Sequence, residues 1–346
     1  MKPGLAIKSV SYKLDEETLA PGVDNQPGVT VPQGSLDSGL FFERDGSWFG
    51  GDYLQTFEPR LFYFYSDFED QSGFFNLSPN NREINFDTSE LTFSYAQLFR
   101  DTRFAGSDRI EDANQLSVGL TTRFLGRETG QQRFSLSLGQ IYYFDDQRVG
   151  LNSPDLSQSN PSNNALPNKS QIAGQITAQL TDSLQLTGDA LFDPARHQMN
   201  QRGVRLRYYD DKQRIVNLGY RYQRDPNPNA TPQNNRDIEQ AEFSFVLPIA
   251  GNWNVIGHTY HDFKIEEALD SIFGLEYTSC CYRVRVVGRR WFDNELIELV
   301  NDQDLDHERG IFVEFQLRGL GSILDTINGV LGESIVNYER REENIR

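Results

Sequence analysis

The sequence lacks any apolar run long enough for a transmembrane helix. No stretch approaches the roughly 18–20 consecutive apolar residues that such a helix needs, and the mean hydropathy is −0.58. Hydropathy alone would indicate a soluble acidic protein. A transmembrane β-barrel has a similar average, however, because the polar half of each strand faces the lumen.

A signal peptide is also missing. Residues 1–14 contain neither an apolar core nor a small-residue cleavage site. We therefore expect either a cytosolic protein or a sequence that begins inside a longer one.

Basic residues are scarce relative to acidic ones. The chain has 33 lysine and arginine residues against 50 aspartate and glutamate residues, and its formal net charge is −17. Nucleic-acid binding needs a basic surface that neutralises phosphates. We therefore expect no nucleic-acid partner.

Motifs of catalysis and metal binding are missing as well. The sequence contains no glycine-rich phosphate loop, no GxSxG and no HExxH pattern. His258 and His261 lie three positions apart in a predicted strand, so their side chains point to opposite faces and cannot both bind one metal ion. We expect no enzymatic activity, no cofactor and no metal site.

Alternation of polar and apolar residues with a period of two dominates what is present. In residues 114–125, for example, the apolar side chains occupy one face and the polar side chains occupy the other. The pattern recurs about fourteen times, with turn-forming residues between the runs. The predicted strands cover residues 2–14, 35–43, 53–65, 114–125, 132–144, 169–180, 183–193, 202–210, 213–224, 238–248, 252–262, 269–279, 281–291 and 309–319.

The length of these runs favours a membrane barrel over a soluble sheet. Strands of soluble sheets average about five or six residues, whereas a tilted strand that crosses a bilayer needs about 9–11. The connections alternate between short turns, such as 181–182, and long polar loops, such as 225–237, as in outer-membrane barrels. Aromatic residues at the run ends suit interfacial girdles, although packing in a soluble sheet favours them too. We predict an all-β fold, a transmembrane antiparallel β-barrel.

The C-terminal residues break the alternation. Apolar residues recur there at spacings of three and four, which predicts a short amphipathic helix after the last strand. We therefore divide the chain into a barrel part, residues 1–319, and a C-terminal tail, residues 320–346. The apolar residues of the tail are Leu320, Ile323, Leu324, Ile327, Leu331 and Ile335.

Pro59 lies inside the predicted strand 53–65. Proline cannot donate to the ladder, so we expect a bulge or a sheet edge at this position. Glu58 and Arg60 flank it and share the face opposite Tyr63. This spacing predicts a charge pair in the lumen, with an ordinary interior ion pair as the alternative.

Residues 95–116 combine charges of both signs with aromatic side chains. We predict a structured segment that folds back onto the barrel or binds a partner, and a solvated loop is the alternative. The charged candidates are Arg100, Asp101, Arg103, Asp108 and Arg109.

Five stretches of the sequence carry more than the alternating pattern. They are SLDSGLFFERD (35–45), YLQTFEPRLFYFY (53–65), LFRDTRFAGSDRIEDANQLSVGLTTRF (98–124), CCYRVRV (280–286) and VEFQLRGLGS (313–322). In this order they resemble the lipopolysaccharide-assembly outer-membrane proteins of Gram-negative bacteria, the LptD family. The third stretch is far more specific than a generic barrel pattern.

The resemblance implies a barrel of about 26 strands, of which this chain would supply about fourteen, with the lipoprotein LptE as a plug in its lumen. An N-terminal periplasmic domain would receive lipopolysaccharide from the bridge protein LptA, and the lipid would leave where the first and last strands meet. The resemblance therefore predicts a fragment in the outer membrane with a periplasmic C-terminus. It also makes Arg205, Arg207 and Arg285 candidate contacts for lipopolysaccharide phosphates, with pairing to interior carboxylates as the alternative.

The only two cysteines, Cys280 and Cys281, are adjacent. An unstrained disulfide needs Cα atoms about 4.4–6.8 Å apart, whereas a trans peptide sets them about 3.8 Å apart. In the family that they resemble, such cysteines bridge to the N-terminal periplasmic domain and tie it to the barrel. Two free buried thiols are the alternative.

Two other classes of protein remain alternatives. A general porin would share the barrel without the lipopolysaccharide function, and a soluble all-β binding protein would share only the strand pattern. Dependence on detergent distinguishes the soluble protein from both barrels, and a lipoprotein in the lumen distinguishes the LptD family from a porin.

Overall fold

The strands are described from a computed structural model of the chain. It describes residues 1–15, 19–48, 50–75, 77, 83–151, 156, 168–225, 237–292, 307–317 and 326–345. The strands in these ranges are β1 (Lys2–Ser11), β2 (Gly28–Gly39), β3 (Phe42–Trp48), β4 (Gly51–Ser66), β5 (Ser89–Glu90), β6 (Phe104–Ala105), β7 (Ala113–Gly126), β8 (Gln132–Tyr143), β9 (Ile172–Thr181), β10 (Leu184–Asp193), β11 (Gln198–Tyr209), β12 (Ile215–Gln223), β13 (Ile238–Ala250), β14 (Trp253–Asp262), β15 (Glu267–Thr278), β16 (Tyr282–Phe292) and β17 (His307–Leu317). The helices are α1 (Thr326–Ser334) and α2 (Tyr338–Ile345).

Fifteen of the described strands belong to one sheet, and β5 and β6 form a separate short ladder. The chain divides into two compact units, one formed by residues 1–175 and 190–198 and the other by residues 176–189 and 199–346. In the first unit the strand order is β1-β2-β4-β7-β8, with β3 also paired to β4. In the second unit β11 to β17 pair in sequence order, each antiparallel to the next.

β2 and β3 lie along β4 as two halves of one strand, and the break between them is opposite Pro59. Gly39 pairs with Arg60 and Phe42 with Phe57, so the register is the same on both sides of the break. The amide of Leu40 donates to the Pro59 carbonyl over 3.0 Å, but Pro59 has no N–H to return that bond. The expected bulge does not form, and the missing donor interrupts the ladder without shifting it.

The two faces of the sheet have opposite chemistry, which we call the outer and inner faces. The outer face is apolar and exposed: Phe273, Ile311 and Val313 are 63, 80 and 69 % exposed. The inner face is buried and carries polar side chains such as Ser117 and Ser244, both 0 % exposed, together with apolar side chains where the loop and the tail cover it. A soluble sheet buries its apolar side chains, so this inverted pattern is that of a transmembrane barrel wall.

The predicted fold class is confirmed, with differences in the strand boundaries. Residues 44–52, the link between the predicted strands 35–43 and 53–65, are largely strand, because β3 and β4 form a tight hairpin that runs from Phe42↔Phe57 to Trp48↔Gly51. β3 is the strand of the main sheet beyond the fourteen expected. No helix in the described ranges is long and apolar enough to cross a membrane.

The tail folds as two short helices rather than one. Asn337 separates α1 from α2 and has a φ of 70°, in the left-handed region that asparagine tolerates better than most residues. Of the predicted apolar positions, Ile327, Leu331 and Ile335 are buried. Leu320, Ile323 and Leu324 lie outside the described residues.

Candidate functional site

Residues 91–112, the inner loop, pack against the inner face of the first unit. The 3-10 turn Tyr95–Gln97 precedes Leu98, which is 0 % exposed and packs with Ile141 of β8. A Cβ at Gly139 would lie 2.5 Å from Leu98 Cδ1, and a Cβ at Gly119 would overlap the Phe99 ring. The absence of side chains at these two strand positions is what lets the loop approach the sheet.

Polar contacts continue this attachment. The hydroxyls of Tyr95 and Thr121 lie 2.9 Å apart, and Thr121 Oγ1 is also 2.9 Å from Ser137 Oγ. A line of hydroxyls therefore runs from the inner loop across β7 to β8. These contacts satisfy polar groups that would otherwise be buried without partners.

Glu58 and Arg60 do not pair with each other, which corrects the expectation. Arg60 donates through Nε and Nη2 to Asp37 on β2, at 2.9 and 2.7 Å, and its guanidinium lies 4.2 Å from the Phe99 ring centre. Glu58 pairs with Arg123 on β7. Both partners are diagonal neighbours across the ladder, because Arg60 is directly opposite Gly39 and Glu58 is directly opposite Thr121. Long side chains span such diagonals, so both charges find partners across the sheet.

The five charged candidates all lie in the inner loop, and three of them make contacts that fix it. Arg103 pairs with Glu111 at 3.6 Å and with Asp112 at 3.8 Å. Arg109 donates to the Ile84 carbonyl over 2.7 Å, and its guanidinium lies 4.5 Å from the Phe75 ring centre.

Asp108, the third of these residues, accepts hydrogen bonds from the Tyr12 hydroxyl, from the amides of Phe86 and Asp87 and from Thr88. Of the other two candidates, Asp101 pairs with Lys8 of β1 at 3.3 Å and remains 60 % exposed. Arg100 donates its amide to the Gln97 carbonyl.

Two carboxylates of the inner loop have opposite pKa shifts. Burial alone would raise the pKa of Asp108, but its hydrogen bonds from Tyr12, from the two amides and from Thr88 lower the pKa to about 2. Burial raises the pKa of Glu111 to about 7, and Arg103 offsets only part of that effect. Asp108 is therefore a fixed anion, whereas Glu111 titrates near neutral pH.

The second unit contains a buried cluster of six ions, which we call the ionic cluster. Arg285 is 0 % exposed, and its guanidinium lies 3.1 Å from Glu276, 3.1 Å from Glu314 and 3.0 Å from Glu342. Three positive charges balance three negative ones. The members are Glu276 of β15, Arg283 and Arg285 of β16, Glu314 of β17, and Arg341 and Glu342 of α2.

Arg285 is therefore not an accessible contact for a phosphate, which corrects its assignment as a lipopolysaccharide contact. The structure has the alternative arrangement, in which Arg285 pairs with interior carboxylates. An unpaired charge in this position would be expensive, because little water reaches it.

An apolar stripe lies beside the ionic cluster on the inner face. It consists of one buried residue from each of five neighbouring strands, and the two tail helices cover it. The helices contribute Ile327, Leu331, Ile335 and Tyr338 to this contact. The residues of the stripe are Ile215, Val246, Ile256, Ile272 and Val287.

A cavity of about 400 Å³ opens on the inner face of the second unit, where Glu333 and Ser334 of α1 form part of its wall. Arg205 lines the cavity and lies 3.1 Å from Asp189. Its side chain is 51 % exposed, so it remains accessible. Arg207 is half-buried two positions along the same strand.

Cys280 and Cys281 are exposed in the turn between β15 and β16, and both thiols are free. The carbonyl of Tyr282 accepts hydrogen bonds from the amide and hydroxyl of Ser279, which close this turn. In the described part of the chain, no group of three or more histidine, cysteine, aspartate or glutamate side chains is placed to hold a metal ion.

Comparison with known proteins decides the family. The family model of LptD, described as LPS transport system D, matches residues 2–253. The LPS-assembly protein LptD of Saccharophagus degradans is 34 % identical over 346 residues, covering 99 % of this chain and 39 % of that protein. The chain belongs to the LptD family. The LptD protein of Hahella chejuensis is also 34 % identical, over 99 % of this chain and 39 % of its own length.

The chain thus spans about 39 % of the length of these LptD relatives. Family membership, together with the apolar outer face, places it in the outer membrane. Among solved structures, a triple mutant of Rhodopseudomonas blastica porin aligns with 12 % identity and a TM-score of 0.27, covering 83 % of this chain and 94 % of the porin. That score is too low to bear on function.

The ionic cluster is the part of this LptD chain that the motifs did not reveal. Glu276 and the Arg341–Glu342 pair belong to none of the five stretches, and 65 positions separate Glu276 from Arg341. A signal was nevertheless present. Charged residues of both signs occupy inward positions of three consecutive strands and need hydrogen-bonded ionic partners if they are buried, and the sequence YERREEN of the tail carries further charges of both signs.

Proposed function

We propose that this chain is part of the machinery that assembles lipopolysaccharide in the outer leaflet of the outer membrane. The observation that carries the proposal is membership of the LptD family along nearly the whole chain. We further propose that the chain catalyses no reaction and acts as part of a transport barrel.

The chemistry of the two faces supports this role. Lipopolysaccharide joins a polar, anionic sugar portion to acyl chains. The polar inner face suits the sugar portion, and the apolar outer face suits the hydrocarbon of the membrane. Arg205, accessible beside the cavity, is the residue that we assign to contact the anionic portion.

Partners and orientation belong to the same proposal. We assign the lipoprotein LptE to the lumen and the bridge protein LptA to a periplasmic domain that lies outside this chain. The C-terminus would then be periplasmic, as would the turn with Cys280 and Cys281. Their exposed thiols would form disulfides with cysteines of that domain, because the periplasm is oxidising.

Photo-cross-linking tests the transport role. A photoreactive residue in place of Arg205, in protein taken from outer membranes of a Gram-negative cell, should yield an adduct with lipopolysaccharide. The same residue in place of Glu128, in the exposed turn after β7, should not. Absence of the adduct at position 205, or isolation of an ion-conducting trimer without a lipoprotein, would contradict the proposal.

The disulfide assignment has a separate test. In the protein isolated with its periplasmic domain, a maleimide of high mass should label Cys280 and Cys281 only after reduction. Labelling of both thiols without a reductant would exclude the tether.

A further inference from the structure

The last described strand, β17, is held to the sheet along one edge only. It pairs with β16 over eleven residues, from Tyr282↔Leu317 to Phe292↔His307. Within the part of the chain that the structure describes, its other edge has no strand neighbour. Edge strands are the least constrained strands of a sheet, so contacts through the face of β17 matter more than those of an interior strand.

Two inward side chains of β17 provide such contacts. Glu314, 7 % exposed, accepts a hydrogen bond from Arg285 of β16 over 3.1 Å. Phe312 packs against the apolar cluster that the tail helices complete. The outward side chains Ile311, Val313 and Phe315 are all at least 62 % exposed and add no contact of comparable burial.

The tail helix α2 supplies the remaining members of the ionic cluster to which Glu314 belongs. Glu342 accepts from Arg285 over 3.0 Å and also pairs with Arg283. Arg341 donates to Glu276 of β15 over 2.6 Å. One pair of adjacent residues in α2 therefore joins β15 and β16 directly, and joins β17 through Arg285.

The same helix is oriented by apolar contacts and by one polar contact. Tyr338, 1 % exposed, lies with its ring 5.8 Å from the guanidinium carbons of both Arg285 and Arg341. Asn217 of β12 donates to the Val336 carbonyl over 3.1 Å, at the turn between the helices. These contacts fix the position at which Arg341 and Glu342 meet the sheet.

We propose that the two tail helices act as an internal clasp that holds the edge strand β17 in the sheet through the ionic cluster. The contact with the apolar stripe attaches the two helices to the inner face, and the ionic cluster fixes where α2 meets β15, β16 and β17. Burying ions costs nearly as much free energy as their pairing returns. The ionic cluster therefore fixes the position of the helices more than it adds to the free energy of unfolding. A clasp of this kind can be released, because its ions can be hydrated when the helices leave.

Amide hydrogen exchange of the full chain in detergent micelles tests the clasp. In E342Q, amides of residues 307–317 that donate to β16 should exchange at least tenfold faster than in the wild type, and residues 338–345 should also lose protection. E343Q is the matched control, because Glu343 is exposed on the same helix. It should leave both segments unchanged.

A second variant separates the clasp from simple damage to the tail. E314Q removes the contact from the β17 side, so residues 307–317 should exchange faster while residues 338–345 stay protected. Unchanged exchange of residues 307–317 in both variants would overturn the proposal. So would loss of protection in residues 338–345 of E342Q with β17 unaffected.

Discussion

Leu98 of the inner loop lies against Gly139 of β8, so closely that a Cβ on the glycine would be 2.5 Å from Leu98 Cδ1. The same Cβ would also be 2.7 Å from the carbonyl oxygen of Val118 on β7. The side chain could move, but the backbone carbonyl of an interior strand cannot. The sheet therefore leaves a space, at a residue without a side chain, into which the loop fits.

Gly139→Ala should destabilise the first unit by about 1–3 kcal/mol, the usual cost of overpacking a filled site. The methyl group would displace Leu98 and strain the β7–β8 ladder. Denaturant unfolding of the chain in micelles measures the effect. Gly34→Ala is the control, since its Cβ would meet only Leu5 Cδ2, at 3.8 Å. Equal free energies of unfolding for the two variants would contradict the close packing of the inner loop against Gly139.

Arg60→Lys should weaken the same attachment even though it keeps the charge. Arginine contacts Asp37 through two nitrogens while stacking on Phe99, and a lysine ammonium cannot do both. The Arg60 side chain is 44 % exposed, so the loss should be modest, about 0.5–1 kcal/mol. Denaturant unfolding of Arg60→Lys in a chain that also carries Phe99→Leu measures how much of the lost unfolding free energy comes from the stacking. If the substitution costs as much there as in the wild type, the stacking contributes nothing.

The ionic cluster should show strong coupling between Arg341 and Glu342. Arg341→Gln leaves a net negative charge among the buried ions, and Glu342→Gln leaves a net positive one, so each should cost about 3–5 kcal/mol. The double variant restores the balance and should cost less than the sum, by about 0.5–3 kcal/mol. A double-mutant cycle by denaturant unfolding checks this. The exposed neighbours Glu339 and Arg340 provide the control cycle, which should be additive.

Particular residues show how far the sequence could predict this molecule. Alternation with a period of two placed Leu120 and Thr121 on opposite faces, because strand geometry determines side-chain direction locally. The partners of Glu58 and Arg60 were missed, because cross-strand neighbours depend on a pairing register that one strand does not carry. The ionic cluster was missed for a related reason: Arg341 reaches Glu276 only through the turn at Asn337 and the packing of α1.

The inner loop should lose stability as the pH rises from about 4.5 to 7. Glu111 has a pKa raised by burial to about 7 in the folded chain, against 4.5 for an ordinary glutamate. Because the folded state holds the proton more tightly, the stabilising contribution is complete below about pH 4.5 and is lost as the pH rises through 7. The full effect is on the order of 3 kcal/mol. Asp108, with its pKa lowered to about 2, acts in the opposite direction and only below about pH 4.

Comparison with Glu111→Gln isolates this effect from the other carboxylates. The unfolding free energy of the wild type, minus that of the variant, should fall steadily between pH 4.5 and 7.5, since glutamine cannot titrate. Glu128→Gln, in the exposed turn after β7, controls for the loss of one charge. A difference between the wild type and Glu111→Gln that stays constant over this range would mean that Glu111 is already ionised at pH 5, and that Arg103 offsets its burial completely.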